Sequence, residues 1–129
     1  MNPPAEAAIY AVDPGRVAAF YEAVAGLAVA ESTPEFIELR SALWRLSIVR
    51  IPVAIATGIS FTVPVTRRGE TPIKLVLPVA SLETAREVAA VHGGVVDGQE
   101  AEWTWHHTTR CDGHDPEGNV FQCAVPARG

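Results

Sequence analysis

The sequence is short of several things, and each shortage removes a class of function. It has two cysteines, Cys111 and Cys123, both near the C-terminus, so a disulfide-stapled scaffold is excluded. They are expected to be free thiols, because the chain reads as cytoplasmic. Lys and Arg total 10 against 15 Asp and Glu, giving a net charge of −5, and the longest basic cluster is Arg67-Arg68. That balance lacks the footprint of a nucleic-acid binder. No apolar run reaches the roughly 18 residues of a membrane span. The segment from Met1 to Glu6 has neither a basic start nor an apolar stretch, so it does not resemble a signal peptide.

What is present is a globular balance: 129 residues, 48% hydrophobic and 19% charged. That is one domain's worth of chain, able to bury a core. Ala7 to Val12 is a short apolar run that predicts a strand. Asp13-Pro14 then opens a helix, since Asp accepts from the free amides of a first turn and Pro loses no needed donor there. Val17, Phe20, Tyr21, Val24 and Leu27 recur at helical spacing, and Gly26 is placed to end the helix. Leu27–Ser32, Glu35–Arg40 and Leu43–Ile51 predict three more strands.

The second half repeats the order. Ile73–Val79 predicts a strand, with Pro78 suiting an edge or an end. Ser81 caps a helix, with Thr84 where Glu would complete the capping box. Leu82, Ala85, Val88, Ala89 and His92 follow the helical period, and Gly93-Gly94 closes it. Val95-Val96, Thr108–Asp112 and Asn119–Val125 predict the remaining strands. Strand, helix and three strands thus occur twice, which predicts two similar modules. Their bounds are about 6–52 and 72–126 within a single domain of residues 1–129. The segment of about 53–71 between them predicts a loop, with Ile59–Val63 alternating well enough for an extra strand.

Asp115-Pro116-Glu117-Gly118-Asn119 ahead of Val120-Phe121-Gln122 is a turn signal: Pro presets φ, Gly supplies a positive φ and Asn tolerates one. It resembles the Asp-Pro-x-Gly-Asn turn of the vicinal oxygen chelate superfamily, which includes glyoxalases, extradiol dioxygenases and bleomycin-resistance proteins. Asp13 with Phe20-Tyr21 and Gly26-Leu27 resembles that family's first helix, and Ser81 with Gly93 the second. The resemblance spans nearly the whole chain. It implies an α+β fold of two βαβββ modules whose curved mixed sheets surround a cleft.

The same resemblance implies a metal held by His and Glu from four strands. The position of the first ligand, seven residues before the helix-opening aspartate, holds Glu6. The matching position before Ser81 holds Lys74, and that of the last glutamate holds Gln122. For the fourth, Ser47, Val49 and Ile51 offer neither carboxylate nor imidazole. A lysine ammonium has no free lone pair and repels a cation, so no metal or other cofactor is expected. His106, His107, Cys111, Asp112 and His114 lie close in sequence but without recognised zinc spacing, and they predict a polar rim or loop. Strand alternation would put His107 and Cys111 on one face and His106 and His114 on the other.

Alternation also aims Glu6, Ala8 and Tyr10 into the cleft, with Lys74, Val76 and Pro78 from the fifth strand and Gln122 and Ala124 from the last. Trp103 and Trp105 share a face beside His107, and Trp44 shares one with Leu46 and Ile48. The candidate ligand-binding set is therefore Glu6, Tyr10, Trp44, Lys74, Trp103, Trp105, His107 and Gln122. Aromatic rings with a few polar anchors suit a small ligand. Glu6 and Lys74 are a candidate ion pair. The resemblance implies a homodimer that binds a small molecule and partners neither nucleic acid nor membrane. A lyase, isomerase or glyoxalase-type enzyme, with or without metal, and a ligand-free structural or regulatory domain stay open beside it.

Overall fold

Two separate curved layers of strand organise the chain in the computed structural model, which describes residues 1–127. The first sheet, A, comes from the first half. It contains β1 (Glu6–Ala11), β2 (Ala28–Ser32), β3 (Phe36–Arg40) and β4 (Arg45–Arg50) in the order β1-β4-β3-β2. β1 runs parallel to β4 and the remaining pairs are antiparallel. Helix α1 (Pro14–Ala25) makes the crossover from β1. It starts as its sequence dictates: the Asp13 carboxylate accepts from the Arg16 amide at 3.2 Å, and Pro14 occupies the first turn. It stops at Gly26, whose φ of 65° is left-handed.

Sheet B repeats the plan with one strand more. β5 (Leu75–Pro78), β6 (Val95–Val96), β8 (Thr108–His114) and β9 (Val120–Pro126) take the order β5-β9-β8-β6, and β7 (Trp103–Trp105) pairs with β8. Pro78 ends the edge strand β5, where its missing N–H costs no ladder bond. The crossover helix here is α3 (Leu82–Val91), capped by the Ser81 hydroxyl on the Thr84 amide at 3.2 Å. Between the halves lies a short helix α2 (Val53–Ala56), and residues 59–63 form no strand. The apolar alternation there has no neighbouring strand to pair with. β7 was not expected, although Trp-Thr-Trp is itself a short alternating run.

Both helices pack on one face of the sheets, and the core fills the space between. Phe20 and Tyr21 of α1 meet edge-on at 5.2 Å, and both touch Phe121 of β9 at 5.7 and 5.8 Å. All three rings are fully buried, each contributing about 1.5–3 kcal/mol or more. The halves therefore share one core rather than owning one each.

The Asp-Pro-x-Gly-Asn turn joins them by polar bonds. Asp115, fully buried, accepts from the Glu117 amide at 2.9 Å, the Asn119 amide at 3.1 Å and the Tyr21 hydroxyl of α1 at 2.8 Å. Glu117 reaches across to accept the Val12 and Asp13 amides, each at 2.8 Å. Those amides sit where β1 hands over to α1, and the carboxylate gives both a partner that no strand or helix supplies there. Gly118 has a φ of 83°, and a Cβ there would come within 2.5 Å of the Thr66 carbonyl oxygen.

Candidate functional site

Because α1 and α3 cover one face, the other face of each sheet is open. On sheet A it carries Glu6, Ala8 and Tyr10 of β1, beside Arg45, Ser47 and Val49 of β4. Glu6 and Tyr10 are exposed, Tyr10 at 62%. Glu38 on the same face is bound by Arg40 at 3.1 Å and Arg45 at 3.4 Å. The two arginines of this face thus share one carboxylate, while Glu6 is exposed and has no ion pair among the described residues.

Sheet B's open face is different. Trp103 stands opposite Arg110, and Trp105 opposite Thr108. Asp112 stands opposite Gln122, which in turn neighbours Val76. The Arg110 guanidinium lies 4.4 Å from the centre of a Trp105 ring. Its Nε donates to Thr108 Oγ1 and its Nη1 to Gln122 Oε1, each at 3.1 Å. Lys74 Nζ donates to Asp112 Oδ2 at 3.0 Å. The other oxygen, Asp112 Oδ1, is the one buried side-chain polar atom without a hydrogen-bond partner among the described residues.

At one end of this face, Arg67 from the connecting segment bonds both Asp97 oxygens at 2.9 and 2.7 Å and donates through Nε to His114 Nδ1 at 2.8 Å. The Arg67 charge holds the Asp97 carboxyl below its ordinary range. Burial and the same guanidinium push the His114 imidazole down, keeping it neutral so that Nδ1 can accept. On the covered face, Cys111 and Cys123 sit directly opposite each other as free, buried thiols. Burial pushes Cys123 up to about 12 and Cys111 upward too, so neither is an activated nucleophile.

The structure sorts the candidate residues into three groups. Lys74, Trp103, Trp105 and Gln122 gather on the open face of sheet B. Glu6 and Tyr10 lie on that of sheet A, whose strands form no ladder with sheet B. Trp44 and His107 belong to neither. Trp44 lies in the turn before β4 and packs half-buried against the core, because the face it shares with Leu46 and Ile48 is the covered one. His106 and His107 form the turn between β7 and β8, with φ of 47° and 60°, so strand alternation does not apply to them. The Glu6–Lys74 pair does not form; Lys74 takes Asp112 instead, and Glu6 has no ion pair among the described residues. Arg110 was missed altogether. Its signal was its place two residues before Asp112 on a strand facing Gln122.

A divalent metal does not fit these donors. Lys74 and Gln122 carry the positions where ligands were implied, and Gln122 already serves a guanidinium. Among the described residues no three His, Cys, Asp or Glu converge as a metal site.

Two βαβββ halves, each with its helix on one face and an open sheet on the other, define a protein of the vicinal oxygen chelate superfamily. The chain belongs to the glyoxalase-like domain family, whose model matches residues 6–124. Solved structures agree in fold. A glyoxalase/bleomycin resistance protein/dioxygenase family enzyme from Burkholderia phytofirmans PsJN is 21% identical, with a TM-score of 0.65 over 91% of this chain and 93% of that one. A glyoxalase-related enzyme from Fulvimarina pelagi is 22% identical, with a TM-score of 0.61 over 92% and 85%. The fosfomycin resistance protein FosX from Mesorhizobium loti is 8% identical, yet scores 0.66 over 98% and 94%. No curated protein matches the sequence.

Proposed function

We propose that the protein is a cytoplasmic homodimer that binds a small organic molecule in a metal-free cleft lined by the open face of sheet B. One observation carries this: Lys74 and Gln122, which stand where the resemblance implied metal ligands, are instead tied into a polar network with Asp112 and Arg110, flanked by exposed tryptophans. Such a network orders polar groups beside an apolar aromatic wall, the usual make-up of a small-ligand site. A cation entering it would meet an ammonium and a guanidinium first. The dimer is supported by the apolar groups left in the open on both sheets, Tyr10 on one and Val76, Trp103 and Trp105 on the other. A cavity of about 930 Å³ lies instead on the covered side, between the start of α3 and Thr109 and Val125. It is lined by the Arg86–Glu102 ion pair and holds no aromatic ring, and we assign the ligand to the open face. Helix length and hydropathy give no membrane-spanning helix among the described residues.

The test is metal analysis of untagged protein together with tryptophan fluorescence across metabolites and antibiotics. Less than a tenth of an equivalent of Zn, Mn, Ni or Fe, and saturable quenching by at least one compound, are expected. Stoichiometric metal would overturn the proposal.

A further inference from the structure

We infer that Arg110 is the anchor for an oxyanion, so that the ligand of the open face of sheet B is an organic acid with an apolar body. This rests on the ligand-binding proposal above and names the class of ligand. Five of the nine Lys and Arg side chains among the described residues are in ion pairs. Arg40 and Arg45 share Glu38, Arg67 binds Asp97, Lys74 binds Asp112 and Arg86 binds Glu102. Among the described residues, four arginines have no carboxylate: Arg16, Arg50, Arg68 and Arg110. The first three are exposed at the surface, where a guanidinium needs no partner but water.

Arg110 is half-buried in the middle of a sheet, and its fixed partners are all neutral: an amide oxygen, a hydroxyl and an indole ring. The nearest acid on its strand face, Asp112, is held by Lys74. These partners order the guanidinium without cancelling its charge. They use Nε and one N–H of Nη1, and Nη2 makes no hydrogen bond among the described residues. The Nη1–Nη2 edge is therefore a fork of the geometry that carboxylates, phosphonates and sulfonates bind in pairs. Beside it, Trp103 stands directly across from Arg110 on one side and Ala124 on the other, a surface for the apolar body of the acid. Gln122 is what makes this possible. A glutamate there would neutralise Arg110; the amide presents an oxygen to it and adds no charge.

Two dyes of nearly the same shape test this: anilinonaphthalene sulfonate, which carries an oxyanion, and N-phenylnaphthylamine, which does not. Wild-type protein is expected to bind the sulfonate at least about tenfold more tightly, the effect of a charge-assisted hydrogen bond. Arg110→Gln and, as a variant that keeps the packing, Gln122→Glu are each expected to abolish that preference, the sulfonate losing at least about tenfold more affinity than the neutral dye. Equal affinity of wild type for both dyes would overturn the oxyanion anchor and leave the ligand-binding proposal standing. A preference that survives in both variants would overturn the role of Arg110. If neither dye binds, it is the ligand-binding proposal that fails.

Discussion

The open faces of sheets A and B come from the same strand order, yet they have opposite electrostatic characters. On sheet A, one carboxylate, Glu38, is shared by two arginines, and the remaining surface is exposed Glu6 and Tyr10. On sheet B, a half-buried arginine is held by neutral groups and a lysine by an aspartate with one orphaned oxygen. A face whose arginines are already engaged by a carboxylate has little cation left to offer an acid. A face that fixes a charge without pairing it keeps that charge available. Under the proposed function, duplicated architecture would divide the work, with one half supplying a wall and the other the recognition chemistry.

The comparison can be broken most severely at the joint. Asp115→Ala removes the acceptor of Tyr21 and of two turn amides from a fully buried position. It is expected to cost at least about 3 kcal/mol, read as a lower denaturant midpoint, with both halves lost together. Loss of sheet B alone, visible as a separate second transition, would mean the halves are independent. Next, Arg45→Gln on sheet A is the counterpart of Arg110→Gln. It is expected to leave sulfonate-dye affinity within about twofold, against the tenfold or greater loss on sheet B. An equal loss would show that the field of the whole molecule, not the Arg110 fork, selects the anion.

A pH series sharpens the picture further. The His114 imidazole titrates below its ordinary 6.5 in the folded protein, because burial and Arg67 oppose its charge. The unfolded chain therefore binds the extra proton first, and stability is lost as pH falls below about 6.5 toward the folded value. His114→Gln is expected to flatten that loss between about pH 7 and 5; identical slopes would exonerate His114. Smallest is Lys74→Gln. Its partner Asp112 is about a quarter exposed, and the expected cost is at most about 1 kcal/mol in unfolding experiments.

Much of this fold was legible in the sequence because its punctuation is chemically unambiguous. Asp13-Pro14 and Ser81 suit helix starts, Gly26 and Gly118 take the positive φ that other residues avoid, and all four are found where expected. The alternation of β1, β5 and β9 separated open from covered faces correctly, since a buried face imposes its period. Less of the site was legible. Trp44 follows the same alternation, but nothing in the sequence says which face the helix covers. His106 and His107 lie in a loop as expected, but strand alternation could not aim His107, because the tight turn they form takes two positive φ values, for which histidine is an uncommon choice. Lys74 was given the wrong partner because pairing across two sheets depends on how they are set, which local sequence does not encode. Arg110 escaped notice since its significance lies in what it lacks, a carboxylate, and that is visible only once every other cation has been matched.

Glu117 has a wider consequence. Its carboxylate accepts the two backbone amides of the β1–α1 junction, Val12 and Asp13, from a turn more than a hundred residues along the chain. The helix of the first half is thus completed by a turn and a strand of the second: without residues 115–121 it has neither that acceptor nor Phe121 to pack on. A shortening that takes away β9 and the turn before it takes away the first helix's anchor as well.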